Sequence, residues 1–196
     1  MMETAASITA DQATDGFRYD IVDITRQALA EYANCLHTEI CKAYEAGEKE
    51  DVEKMSAEFL ELLDDMDKVL GTRSEFLLGR WIKNAKSLAT NEKEMIQYEY
   101  NARNLIALWG NKDCTIHDYA CKHWSGLISS FYKGRWSQLF EMSAEDGFTQ
   151  EKYAEHIKAW EHEWEKGREI YPAEPSGDEV AECLRVYGKY GKKVKF

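Results

Sequence analysis

The stretch Tyr19–Ala46, YDIVDITRQALAEYANCLHTEICKAYEA, decides the fold class. Its apolar residues Ile21, Ile24, Leu29, Tyr32, Leu36, Ile40 and Tyr44 recur at steps of three to five, the spacing of one helix face. Gly47 follows where a left-handed residue would end the helix. No β-branched alternating run competes with this pattern anywhere in the chain. Pro172 and Pro175 are the only two prolines and share one late loop, so the 171 residues before them lack the strongest helix breaker. The expected fold is all-α, a bundle-like domain of about six to seven helices with no sheet.

Outward from that helix, 51–70 carries Val52, Met55, Phe59, Leu62, Leu63, Met66 and Val69 on one face, with Gly71 after it. Thr72-x-x-Glu75 reads as a capping box opening a helix over 74–89, and Asn91-x-x-Glu94 as the start of one ending at Leu108 or Trp109. A fifth helix is expected from Ile116 to Phe131, with a kink at Gly134 before Arg135–Met142. Asp146-Gly147 makes the next turn. A helix over 149–170 and one capped by Ser176-x-x-Glu179 and ending near Tyr187 complete the series. No internal repeat of about 30 to 45 residues appears, which argues against a solenoid.

Composition removes several function classes. With 36 acidic against 25 basic residues the net charge is -11, and the pI is about 5.0, which opposes binding to a phosphate backbone or an anionic membrane. The one basic cluster, Lys189, Lys192, Lys193 and Lys195, reads as a solvated tail. No segment approaches the roughly 18 consecutive apolar residues of a membrane helix. The five cysteines, Cys35, Cys41, Cys114, Cys121 and Cys183, form no C-x-x-C and leave at least one thiol free. His37, His117, His123, His156 and His162 make no H-E-x-x-H and no Glu-x-x-His, so neither metal nor cofactor is expected. Gly-x-Ser-x-Gly and Gly-rich phosphate loops are likewise absent from the sequence. Many carboxylates are available, but no pair stands out as the facing acid and base of a glycosidase, and no catalytic residue is assigned.

Aromatic residues are the better prospect, because sugar C–H faces stack on rings while hydroxyls need a few fixed polar partners. Trp81, Trp124, Trp136, Trp160 and Trp164 sit at helical core spacing and read as packing residues. Trp109 differs. It ends a helix and is followed by Gly110 and the loop 111–115, where a side chain can project into a cleft.

Trp109 belongs to the block Tyr98–Trp136, YEYNARNLIALWGNKDCTIHDYACKHWSGLISSFYKGRW. Asn101 and Arg103, then Trp109-Gly110, then Asp118-Tyr119-Ala120, then Arg135-Trp136 follow in an order that resembles the C-terminal region of glycoside hydrolase family 89, the α-N-acetylglucosaminidases. Phe17-Arg18-Tyr19-Asp20, Asp23-Ile24-Thr25-Arg26-Gln27 and Phe76-Leu77-Leu78-Gly79-Arg80-Trp81 extend the resemblance over about residues 16–196. It implies that 1–15 is a lead-in or linker and that the remainder is the C-terminal all-α domain of a larger glycosidase. The catalytic carboxylates would then lie on an upstream (β/α) barrel, a body of roughly 250 residues for which this chain has no room.

The resemblance further implies that Trp109, Ile116 and Tyr119 face that barrel and help wall an N-acetylglucosamine pocket, although the Pro often found after Trp-Gly in relatives is Asn111 here. Arg26, Arg103 and Arg135 match family positions and read as structural ion-pair residues, with Asp20, Asp23, Glu99 and Asp118 as candidate partners. The whole enzyme would remove terminal α-linked N-acetylglucosamine with retention and without a cofactor, and the chain alone would be inactive. Family members act on glycans outside the cytosol, which implies an exported parent, whereas the free thiols suit either compartment. The alternative is a stand-alone helical interaction domain whose aromatic groove holds a partner helix.

Overall fold

The structure, a computed structural model, describes residue 7 and residues 12–111, 113, 114, 118 and 120–193. Among these lie the helices α1 Asp15–Ala46, α2 Lys49–Leu70, α3 Leu78–Lys86, α4 Glu92–Ile106, α5 Lys133–Ser143, α6 Gln150–Lys166 and α7 Glu179–Tyr190. The described residues contain no strand, only an isolated parallel bridge between Leu77 and Ser125. The fold is all-α. Its chain divides into two compact units, Met1–Phe76 with Pro175–Phe196, and Leu77–Glu174.

In the first unit, α1 and α2 pack side by side and α7 closes on both. Thr14 starts α1 by accepting the Phe17 N–H on its hydroxyl at 3.2 Å, and Gly47, at φ 75°, stops it as expected. The core is Ile21, Val22, Leu29, Leu36 and Ile40 of α1, Phe59, Leu62, Met66 and Val69 of α2, and Cys183, Val186 and Tyr190 of α7. Ile24 and Tyr44 correct the expected stripe: they are 41% and 48% exposed, while Val22, Thr25 and Ala43 are buried in their stead. A 32-residue helix at 3.6 residues per turn keeps one line inside, and those two side chains fall beside it. Asp65, buried in α2, accepts from Tyr190 Oη at 2.8 Å, Lys189 Nζ at 2.6 Å and Arg185 Nη1 at 2.9 Å, tying α7 to α2. Burial alone would raise its pKa, but these donors hold it below the ordinary carboxylate value.

The second unit is built around Leu78, Ile82, Ile106, Ala107, Leu127 and Phe131, with Trp81, Trp124, Trp160 and Trp164 packed on that cluster. These four tryptophans are therefore packing residues, and Trp136 stacks half-buried on Phe140 within α5, ring centres 5.7 Å apart. Gly134 is no kink. It lies inside α5, and a Cβ there would meet the Trp160 ring at 2.5 Å, so glycine permits the α5–α6 contact. At Gly79 a Cβ would come within 2.2 Å of the Pro172 carbonyl oxygen, so α3 crosses the 171–172 backbone without room for a side chain.

Several helix ends depart from sequence expectation because tertiary hydrogen bonds outcompete periodicity. Thr72 donates to the Val69 carbonyl and Glu75 pairs with Arg73, so their capping box does not form and α3 opens only at Leu78. Asn91 does start α4: its side chain accepts the Glu94 N–H at 3.1 Å, while Glu94 reaches past the cap to the Thr90 N–H at 2.7 Å. Asp178, rather than Ser176, caps α7. The expected helix 116–131 is absent over its described residues up to Gly126, where Asp118 and Cys121 take positive φ and 120–126 are non-helical; helical structure begins only at Leu127, and a π-helical turn, Ile128–Tyr132, leads into α5. Helix α6 stops at Lys166 rather than Ile170, because Gly167 turns extended and brings Glu169 back to Arg103.

Candidate functional site

Helix α4 ends in an irregular corner that positions Trp109. Asn104, one turn before the end, is its knot. The Asn104 carbonyl accepts the N–H of Ala107 at 3.2 Å and of Trp109 at 2.7 Å, and its side-chain amide donates to the Gly110 carbonyl at 2.5 Å and to Glu165 Oε1 at 2.8 Å. Leu108 is buried, with its N–H 3.4 Å from Glu165 Oε1, while Trp109 is 43% exposed at φ 51°. A left-handed φ is costly for a bulky residue, so the surrounding bonds hold the ring at this corner. Beyond it, Asp113 and Cys114 donate N–H groups to Asn111 Oδ1 and O at 2.9 Å each. Two hollows of this unit, of about 320 Å³ beside Glu99 and Tyr171 and about 270 Å³ between Trp81 and Leu105, are lined by other residues and do not include Trp109.

The backbone after the corner is drawn in from the other side. Asp118, at φ 58°, donates its N–H to the Ala107 carbonyl at 2.9 Å. Its carboxylate accepts the Tyr132 hydroxyl at 2.8 Å and pairs with Arg135, whose Nε lies 3.0 Å from Glu161 Oε1. Burial and the neighbouring Asp118 raise the Tyr132 pKa, so that phenol remains a donor. Burial opposes the Arg135 charge, but Asp118 and Glu161 more than restore it.

Arg103 is the largest fully buried side chain of the unit. Fully buried, it lies between the rings of Trp164 and Tyr171, 5.0 and 5.2 Å from their centres. It pairs with Glu99 at 3.2 Å and Glu169 at 3.3 Å, and donates to the Trp164 and Glu169 carbonyls. In the other unit, Arg26 pairs with Asp23 one turn earlier at 2.8 Å. Arg103 and Arg135 thus lie in the same unit as Trp109, whereas Ile116 and Tyr119 fall outside the described residues. Among the described residues no group of three or more His, Cys, Asp or Glu has the geometry to hold a metal ion.

Asn104, Glu161 and Glu165 were not singled out by the sequence reading. One signal was available for the acids. Ile157, Glu161 and Glu165 follow one another at i, i+4 and i+8 on the buried line of α6, so two carboxylates occupy places the helical period reserves for core residues. Burial pushes the Glu165 carboxyl above its ordinary range against the Asn104 and Leu108 donors.

Comparison with known proteins places this architecture. Residues 1–189 match the family described as the α-N-acetylglucosaminidase (NAGLU) C-terminal domain. The human α-N-acetylglucosaminidase is 33% identical over 196 residues, which cover 97% of this chain and 26% of the human protein. A family 89 glycoside hydrolase from Clostridium perfringens, solved in complex with 2-acetamido-1,2-dideoxynojirmycin, superposes with a TM-score of 0.83 at 28% identity, covering 96% of this chain and 23% of that one. A variant structure in complex with GlcNAc-α-1,4-galactose, its substrate, gives 0.78 at 28% identity over 92% of this chain and 22% of its own. The chain spans about a quarter of the length of these relatives. It belongs to the family of α-N-acetylglucosaminidase C-terminal domains.

Proposed function

We propose that this chain is the C-terminal domain, residues 16–196, of an exo-acting α-N-acetylglucosaminidase, that it packs on an upstream catalytic (β/α) barrel, and that Trp109, Ile116 and Tyr119 help wall the pocket for the terminal N-acetylglucosamine. The observation that carries this reading is the Trp109 corner, where a large ring stands 43% exposed on a left-handed backbone fixed by buried polar groups. The relatives' names and bound ligands supply the substrate class, α-linked N-acetylglucosamine. The barrel would bring the acid and nucleophile, and this domain would contribute ring surface and shape.

The test is made in the full-length enzyme with an aryl α-N-acetylglucosaminide. Trp109→Ala should lower kcat/KM at least tenfold, about 1.4 kcal/mol, with the melting temperature nearly unchanged. A variant that melts early yet turns over normally per folded molecule would make Trp109 a packing residue.

A further inference from the structure

One side chain of helix α6, Glu165, reaches the backbone of the Trp109 corner. Glu165 is fully buried. Its Oε1 accepts from Asn104 Nδ2 at 2.8 Å and faces the Leu108 N–H at 3.4 Å. The same Asn104 amide donates to the Gly110 carbonyl, and the Asn104 carbonyl accepts the Trp109 N–H. One carboxylate oxygen is therefore linked, directly or through Asn104, to the residue before Trp109, to Trp109 itself and to the residue after it. The second oxygen, Oε2, faces His162 Nδ1 at 3.6 Å, too far for a full hydrogen bond, and neither atom has a hydrogen-bond partner.

This arrangement is expensive. A buried carboxylate is unfavourable unless its oxygens are satisfied, and a left-handed tryptophan is strained. A helix end needs neither, because a glycine in the left-handed position closes it without strain, as Gly47 does at the end of α1. What the two costs secure together is a fixed ring direction.

We infer that Glu165, acting through Asn104 and the Leu108 N–H, is the positioning residue that holds the Trp109 ring in its sugar-facing orientation. This rests on Trp109 walling the pocket. The role requires a hydrogen-bond acceptor at the end of the Glu165 side chain, not a charge. Glutamine therefore supports it, since its amide oxygen can take the same two donors, and leucine of similar bulk does not.

A mutant cycle in the full-length enzyme tests this with the aryl α-N-acetylglucosaminide, reading kcat/KM per folded molecule. Glu165→Leu should lower kcat/KM about tenfold, mainly through KM, and Glu165→Gln should restore it to within about twofold of the parent. Asn104→Ala breaks the same link at a partly exposed residue and should lower kcat/KM in the same way; it decides the matter if Glu165→Leu does not fold. In a Trp109→Ala background neither change should cost anything further, because the ring they orient is gone. If Trp109→Ala is damaging while Glu165→Leu and Asn104→Ala leave kcat/KM intact, or if their losses add fully to that of Trp109→Ala, the positioning role is overturned and Trp109 keeps its place in the pocket. If Trp109→Ala has no effect, the pocket wall falls, and the positioning role with it.

Discussion

The two units solve the burial of polar groups in opposite ways. In the three-helix unit the buried carboxylate of Asp65 receives three donors, two of them cations on partly exposed side chains. Its two described residues at positive φ are glycines, Gly47 and Gly177. In the 77–174 unit Arg103, Glu99, Glu161 and Glu165 are buried, and Arg103 Nε has no hydrogen-bond partner. Three side-chain-bearing residues there, Trp109, Asp118 and Cys121, take positive φ. The first unit rests on its apolar stripes, with the buried hydroxyls of Thr25 and Ser56 as its polar atoms without a hydrogen-bond partner among the described residues. The second buries several charges beside side-chain-bearing residues in the left-handed region around the end of α4, a combination that marks local strain.

All six tryptophans lie in 77–174, so tryptophan fluorescence reports that unit alone, while hydrogen exchange in α1 reports the other. The largest expected contrast is at Arg103. Arg103→Ala takes from buried Glu99 one of its two cations, leaving Lys86 at 2.7 Å, and frees the Trp164 and Glu169 carbonyls, and should cost about 3 kcal/mol. The unfolding free energy from fluorescence-detected urea titration should fall by that amount while protection of α1 amides changes much less. Equal losses in both probes would mean that the two units unfold as one.

A smaller contrast concerns two helical glycines. Gly134→Ala pushes a methyl group into the Trp160 ring and should destabilise the second unit by about 1–3 kcal/mol. Gly188→Ala, in α7 of the first unit, meets nothing within 4 Å and should stabilise that unit by about 0.5–1 kcal/mol. A neutral Gly134→Ala would show that α5 can slide on α6.

The same contrast explains what the sequence could disclose. In the first unit the helices follow hydrophobic period and glycine stops, so 19–46 and 51–70 are readable to within a few residues. Ile24 and Tyr44 mislead only because a long helix allows two neighbouring lines that both look apolar. In the second unit, Ile116, Ala120, Trp124 and Leu127 keep helical spacing, yet the described backbone from Asp118 to Gly126 is fixed by bonds to Ala107, Tyr132, Arg135 and Leu77–Leu78, none of which a local pattern can foresee. Trp109 was legible as an odd residue at a helix end. Glu165 was not, because an acid on a helix is ordinarily solvated, and only its place on the buried line of α6 marks it.

The smallest effect separates strain from contact at the corner itself. If Trp109 is held at φ 51° against its own preference, removing the side chain and restoring freedom at the backbone are distinct operations. Trp109→Ala discards the ring but keeps a Cβ in the left-handed region, whereas Trp109→Gly discards both. The glycine variant should therefore be about 1 kcal/mol more stable than the alanine variant by fluorescence-detected urea unfolding, reversing the usual order of the two residues. Gly47→Ala, at φ 75° in the first unit, provides the scale and should cost a similar amount, read by exchange in α1. Both Trp109 variants lack the ring and should be equally poor in turnover. A glycine variant no more stable than alanine would mean that the backbone adopts this corner without strain, leaving the buried charges of Glu99, Arg103, Glu161 and Glu165 as what sets this unit apart from the other.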